Sequence, residues 1–133
     1  IALKGDVFFN CDDFAQSITY YTKALEIAPD FAEAWINKGL AHIENNEDDI
    51  ARDCWLKACE FDQDNWEPYM HLAFYYQARG EWQKSLKYML ESIELDNPIP
   101  EMYMEIADMY HELGNAEKEA EYKKLFEEAS KED

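Results

Sequence analysis

The sequence repeats itself every 34 residues, and this period constrains the fold more than any other feature of the chain. When the chain is shifted by 34 positions, Trp35 aligns with Tyr69 and Tyr103, and Gly39 aligns with Ala73. Further columns of related residues are Phe8, His42, Tyr76 and Tyr110; Ser17, Ala51 and Ser85; Tyr21, Trp55 and Met89; and Ala24, Ala58 and Ser92. A period of this length indicates small repeated units that bury one continuous core.

One of these columns holds only glycine or alanine, namely Gly5, Gly39, Ala73 and Ala107. Glycine inside a helix costs about 1 kcal/mol relative to alanine, so its presence needs a packing reason. We expect a neighbouring helix to approach the backbone closely at this column. We also expect an aromatic side chain of the adjacent unit to fill the space beside the small residue.

The sequence pattern of each unit predicts two helices joined by a tight turn. The turn column tolerates positive φ, and the residue after it suits the start of a helix; the turn residues are Asp12, Asn46, Gly80 and Gly114. The predicted helices cover residues 1–10, 13–27, 32–45, 47–61, 67–79, 82–95, 100–113 and 116–130. They form units of about 1–31, 32–65, 66–99 and 100–133, which predicts a single all-α array.

This pattern resembles the tetratricopeptide repeat, most clearly in "AEAWINKGLAHIENNEDDIARDCWLKACEFD" and "EPYMHLAFYYQARGEWQKSLKYMLESIELD". The resemblance covers nearly the whole chain and implies an α-α superhelix of four units, with the first helices lining a concave groove. The chain starts at Ile1, so we expect a truncated first helix. A stripe of Tyr122, Leu125, Phe126 and Ala129 predicts that the last helix is an atypical cap with a polar outer face.

The charge of the chain excludes several classes of partner. Thirty acidic and twelve basic residues give a net charge of −18, which repels phosphate backbones and anionic lipid headgroups, so we expect no nucleic-acid or membrane binding. No apolar run approaches the roughly 20 residues of a membrane-spanning helix, which predicts a soluble protein. Cys11, Cys54 and Cys59 are odd in number, and we interpret them as buried thiols in a reducing compartment such as the cytoplasm.

The sequence carries no motif that indicates catalysis. GxGxxG, GxxxxGK[ST] and HExxH are all missing. The segment "DQDNWE" begins like a calcium loop, but Trp66 occupies an acidic position, which favours a turn between repeats. His71 and His111 are expected near Glu105 and Asp108, where an adventitious metal is a simpler explanation than a functional one. We therefore predict a non-enzymatic chain without catalytic residues, cofactor or metal.

The predicted groove residues share one face of the first helices and recur every 34 positions. They are Ile36, Asn37, Leu40, Ile43, Met70, His71, Phe74, Gln77, Met104, Glu105, Asp108 and His111. Glu33, Glu67 and Glu101 form an acidic rim at the helix starts. A strip of Ile, Met and Phe facing solvent is typical of a docking surface, which predicts a peptide or helix with apolar and basic character as partner. The glutamates alone could instead serve the helix dipole and solubility.

A subclass of the family grips the C-terminal carboxylate of heat-shock chaperones with five basic and amide residues. Carried over from the first unit, these positions hold Ala2, Asp6, Asn37, Glu67 and His71. Only Asn37 is of the required type, and carboxylates would repel the ligand. A start one unit later places Glu101 and Glu105 where cations are needed, so we expect no carboxylate clamp.

A second hypothesis is self-association or stacking on flanking repeats of a longer protein. The truncated first helix, or the stripe that includes Tyr122, Leu125 and Phe126, would then dock on another copy. A role like that of a small acidic secretion chaperone is a variant of this hypothesis. The possible homo-oligomer therefore stays open beside the docking groove.

Overall fold

A computed structural model describes residues 13–96 and 99–131, and within these residues the chain forms seven α-helices. They are α1 (Phe14–Ile27), α2 (Ala32–Glu44), α3 (Asp48–Phe61), α4 (Trp66–Ala78), α5 (Trp82–Leu95), α6 (Pro100–Glu112) and α7 (Ala116–Ser130). Each boundary lies within one residue of its prediction, so the all-α fold class is confirmed. The helix predicted over residues 1–10 lies outside the described residues.

The helices belong to two units, Ile1–Asp64 and Asn65–Asp133. In the first unit, α2 packs against both α1 and α3. In the second unit, α4 packs against α5, α5 against α6, and α6 against α7. Within each unit, consecutive helices are therefore neighbours, as helix-turn-helix repeats require. A single array of all four repeats stays a prediction.

The turns inside the repeats follow the predicted backbone chemistry. Asn46, Gly80 and Gly114 have φ values of 63°, 73° and 75°, so the column that tolerates positive φ is confirmed at these three positions. The residue that follows then caps the second helix where its side chain permits. Asn115 accepts a hydrogen bond from the backbone N–H of Lys118, which satisfies one orphan donor at the start of α7.

The small column is explained by the ring of Trp55, which lies on the face of α2 at Gly39. A Cβ atom added to Gly39 would lie 2.8 Å from Cδ1 and 2.9 Å from Cε2 of that ring. Trp55 Nε1 also donates to the Ile36 carbonyl at 3.3 Å. The close approach at this column is therefore confirmed for α2, but the expected source of the ring is wrong. The ring comes from α3 of the same repeat and not from the adjacent unit.

Trp35 serves a different contact, although it lies on the same helix as Gly39. It packs against the cluster of Tyr21, Leu25 and Ala34, and its Nε1 donates to the Pro29 carbonyl at 2.8 Å. This tryptophan therefore joins α2 to α1 and to the turn between them. Two tryptophans of one repeat thus hold the two sides of α2.

The buried serines are small residues that also satisfy a helix carbonyl. Ser85 Oγ donates to the Ala73 carbonyl at 2.7 Å, and Ser92 Oγ donates to the Trp66 carbonyl at 3.1 Å. Both serines lie on α5 and are buried against α4. The hydroxyl is therefore satisfied inside the hairpin, which is what a packing role requires.

Stacked tyrosines recur at the 34-residue period in the second unit. The Tyr76 and Tyr88 rings stack with centroids 5.7 Å apart, and the Tyr110 and Tyr122 rings stack at the same distance. In the α2–α3 hairpin, His42 occupies the column of Tyr76 and Tyr110, and Cys54 occupies the column of Tyr88 and Tyr122.

Burial of Cys54 raises the pKa of its thiol to about 11. A thiol with such a pKa is inert, so the buried-thiol interpretation is confirmed for Cys54. It is wrong for Cys59, which is only partly buried, and Cys11 lies outside the described residues.

Burial favours the neutral form of two histidines, although only His42 is fully buried. His42 is 6% exposed, and its Nδ1 lies 3.3 Å from Glu47 Oε1. Burial lowers the pKa of His42, although the hydrogen bond and the charge of Glu47 act in the opposite direction. Burial also lowers the pKa of His71 to about 4. Both side chains therefore disfavour the protonated form in the folded protein.

The last helix is less buried than the helices that precede it. No residue of α7 is fully buried. Tyr122, Leu125, Phe126 and Ala129 are partly buried, and Tyr122 packs against the core cluster of the second unit. The predicted apolar stripe therefore faces the protein, and charged residues cover the rest of the helix. Among the described residues, no helix is both long and apolar enough to cross a membrane.

Gly39→Ala should destabilise the protein by about 1–2 kcal/mol, because overpacking against Trp55 exceeds the gain of about 1 kcal/mol in helix propensity. The third repeat provides a natural control, since Ala73 and Met89 occupy the columns of Gly39 and Trp55. In a Trp55→Met background, Gly39→Ala should therefore become neutral or stabilising. Urea unfolding of the four proteins of this cycle gives the coupling, and simple additivity would contradict the account.

Acidification should destabilise the protein through its buried histidines. The pKa of His71 falls from an ordinary value of 6.5 to about 4 in the folded state, so the unfolded state binds more protons below pH 6.5. The stability contribution is complete above pH 6.5 and falls towards pH 4, by on the order of 3 kcal/mol. His71→Gln should flatten the pH dependence of the unfolding free energy between pH 6.5 and about pH 4, and a pH dependence equal to that of the parent protein would contradict the account.

Candidate functional site

A hydrogen bond between two predicted groove residues joins the first helices of the second unit, α4 and α6. Gln77 Nε2 of α4 donates to Glu105 Oε2 of α6 at 2.7 Å. This hydrogen bond joins residues 28 positions apart, so it depends on tertiary structure and not on local spacing. The two predicted groove residues therefore mark one shared face of α4 and α6.

Apolar side chains on this face remain accessible to solvent. Phe74 is 39% exposed, although Leu72 and Ala73 just before it are fully buried and Tyr76 after it is partly buried. Met70 and Met104 are partly buried, and Met70 also touches the core cluster of the unit. The face therefore offers one aromatic ring and two methionine side chains. The flexible methionine side chains can adapt to partners of different shapes.

Carboxylates lie on the same two helices as these apolar side chains. Asp108 and Glu101 are exposed on α6, whereas Glu67 at the start of α4 is partly buried. Glu67 and Glu101 lie in the first turns of their helices, where a negative charge interacts favourably with the helix dipole. The acidic rim thus has a local structural role as well as its effect on the charge of the face.

The two histidines of this face differ in their surroundings. His71 is partly buried, and its low pKa keeps it neutral, so it adds no positive charge at physiological pH. His111 is exposed, and its Nδ1 lies 3.1 Å from Glu119 Oε1 on α7. Among the described residues, no three His, Cys, Asp or Glu side chains are arranged to hold a metal ion.

Glu119 was not among the residues that the sequence indicated for this site. Besides its contact with His111, it forms an ion pair with Lys123 Nζ at 2.8 Å. Both contacts lower the pKa of Glu119, and the bond to Lys123 is the larger cause. The i, i+4 spacing of Glu119 and Lys123 was a signal for the ion pair, but the contact with His111 crosses between helices.

In the first unit, one predicted groove residue is placed wrongly. Ile36 is only 1% exposed, so the expectation that it faces solvent is wrong. The Trp55 indole donates to the Ile36 carbonyl, which shows that α3 packs closely at this turn of α2. Asn37, Leu40 and Ile43 are partly buried. At the start of the same helix, Glu33 of the rim is exposed. This unit therefore offers less accessible apolar surface than the prediction requires.

Comparison with known proteins agrees with the repeat pattern and with the helical hairpins. A family model described as "TPR repeat" matches residues 5–46, and one described as "Tetratricopeptide repeat" matches residues 32–65. A search of curated proteins gives no significant match.

Several solved structures share the fold. A crystal structure of MamA is similar with a TM-score of 0.84 and 21% identity, covering 94% of this chain and 73% of that chain. MamA 41-end from Desulfovibrio magneticus RS-1 has a TM-score of 0.81 and 17% identity, covering 96% of this chain and 72% of that chain.

The first TPR of Spaghetti (RPAP3) bound to the HSP90 peptide SRMEEVD is also similar. It has a TM-score of 0.78 and 18% identity, covering 85% of this chain and 90% of that chain. At such identities the likeness extends to the fold and not to the ligand. Together with the matched family models and the helix-turn-helix units with their small-residue column, these findings show that the chain is a tetratricopeptide repeat protein.

Proposed function

We propose that the α4–α6 face of this protein-protein interaction module binds a partner segment of apolar and basic character. The observation that carries the proposal is the exposed Phe74 beside the joined pair of Gln77 and Glu105. An accessible aromatic ring next to adaptable methionines favours an apolar anchor of the partner. The carboxylates of the face favour Lys or Arg around that anchor.

The charge of the whole chain supports the same class of partner. At −18, the protein attracts basic segments over long range and repels acidic ones. The HSP90 peptide SRMEEVD of the similar structure carries three acidic residues and one arginine. Glu67, Glu101 and Glu105 occupy positions of this chain at which a carboxylate clamp would need cations. We therefore infer a preference for basic segments over that peptide.

Tetratricopeptide repeat scaffolds are typically non-catalytic, and the proposed function needs only binding. The groove of the first unit is a weaker candidate because Ile36 is buried. The proposal therefore concentrates on the second unit. Self-association remains the alternative hypothesis, although the partly buried Tyr122 already packs inside the unit.

A titration with basic amphipathic peptides tests the proposal. Phe74→Glu should weaken binding by about tenfold or more, because it replaces an apolar anchor with a charge that must be desolvated. Leu56→Glu is the matched control, since Leu56 is 38% exposed but lies on the second helix α3. The affinity of the Leu56→Glu variant for the peptide should stay within about twofold of the affinity of the parent protein.

Raising the salt concentration from about 50 to 300 mM should weaken the same binding severalfold, because screening shortens the reach of the acidic face. The peptide SRMEEVD should show no measurable binding. Equal effects of Phe74→Glu and Leu56→Glu, or affinity that ignores salt, would contradict the proposal. Light scattering at the same concentrations separates peptide binding from self-association.

A further inference from the structure

Helix α6 carries one continuous stripe of carboxylates on the predicted groove side. The stripe consists of Glu101, Glu105, Asp108 and Glu112, with spacings of four, three and four residues. These spacings place all four side chains on one face along nearly the full length of the helix. Three of the four residues are exposed, and Glu105 is partly buried.

The stripe lacks compensation from its own helix. Residues 100–112 contain neither Lys nor Arg. Like charges at i, i+4 repel each other, as in the pair of Asp108 and Glu112, and Glu112 also lies at the negative end of the helix dipole. Lys123 of α7 interacts with the charge of Asp108, but it is bound to Glu119 at 2.8 Å. This repulsion destabilises α6, and basic side chains of a bound partner would relieve it.

An apolar patch accompanies the acidic stripe. Met104 lies on α6 between Glu101 and Asp108, and the exposed Phe74 lies on α4. The Gln77–Glu105 hydrogen bond joins the two helices at this point. A partner that covers the stripe therefore also meets apolar side chains, which restricts it to an amphipathic segment.

The spacing of the carboxylates distinguishes a helical partner from an extended one. Along the axis of α6 the steps are about 6.0, 4.5 and 6.0 Å, about 16.5 Å in all. A second helix with basic residues at i, i+4, i+7 and i+11 repeats these steps, and it does so in either direction. Same-face residues of an extended chain recur every 6.6–6.8 Å, or about 20 Å over three steps, and lose the register.

Resting on the proposed function, we propose that the acidic stripe of α6 binds a partner α-helix lengthwise. Lys or Arg residues at i, i+4, i+7 and i+11 of that helix pair with the four carboxylates. Its neighbouring apolar residues contact Met104 and Phe74. The partner is therefore a basic amphipathic helix and not an extended basic peptide.

Three synthetic peptides of identical composition test this assignment by isothermal titration with the whole chain. Each peptide contains one proline, which lies at the end of the first two. The first carries Lys at i, i+4, i+7 and i+11 beside a Leu stripe, and the second has its Lys residues spread around the helix. The third keeps the pattern of the first, but two of its residues are exchanged so that the proline lies in the centre. The first should bind about tenfold or more tightly than the other two, because only it keeps both the register and the helix.

Protein variants provide the second arm. Asp108→Asn with Glu112→Gln should weaken binding of the first peptide by about five- to twentyfold. The control, Glu117→Gln with Glu128→Gln, removes the same charge from exposed positions of α7 and should change affinity by less than about twofold. Circular dichroism of each variant verifies that the helices are retained.

The outcomes separate this inference from the proposed function. Equal affinity of all three peptides, or equal loss in the two charge variants, would overturn the helical partner while leaving an apolar and basic groove in place. Failure of every peptide to bind would reject the proposed function itself. Selective binding of the first peptide with selective loss in the α6 variant supports the inference.

Discussion

The close contact between the two helices of each repeat is the constraint on which the rest of the structure depends. In the second repeat, the Trp55 ring lies where any side chain on Gly39 would be. The third repeat meets the same requirement with Ala73 and Met89, both fully buried. A larger residue on one helix is thus matched by a smaller one on the other, which keeps the hairpin close-packed. Because this contact consumes one face of the first helix, another face is left for a partner.

Local features could be predicted from the sequence with little error. Helix ends depend on short-range chemistry, such as the positive φ of Asn46 and the capping side chain of Asn115, and these act within a few residues. The repeat period adds evidence from several copies of each position. The boundaries were therefore predicted to within one residue for every described helix.

Contacts between helices were harder to predict. The period groups Gly39 with other small residues, but it does not say whether the facing ring belongs to the same repeat, and the expectation of an adjacent repeat was wrong. Ile36 lies on the predicted groove side, yet it is buried. The contact of His111 with Glu119 also joins different helices. In each case the outcome depends on side-chain packing in three dimensions, which a pattern along one chain does not contain.

The candidate site combines a fold-level feature with chemistry particular to this chain. Helical hairpins of this kind present similar faces to many different ligands, so the fold alone selects no partner. We propose that the selection here comes from the exposed Phe74, from the neutral His71 and from carboxylates that outnumber cations on the same face. Long-range attraction would speed encounter with a basic partner, and the apolar side chains would slow its release.

The five methionines of the chain allow the most direct measurement of whether α4 and α6 form the binding face. Met70 and Met104 lie on this face and are partly accessible, whereas Met89, Met102 and Met109 are buried in the hairpins. In methyl NMR spectra of protein labelled at methionine, a bound basic amphipathic helix should shift the signals of Met70 and Met104 and leave the other three in place. Binding that shifts only Met89, Met102 or Met109, or that leaves Met70 and Met104 unchanged, would contradict the account.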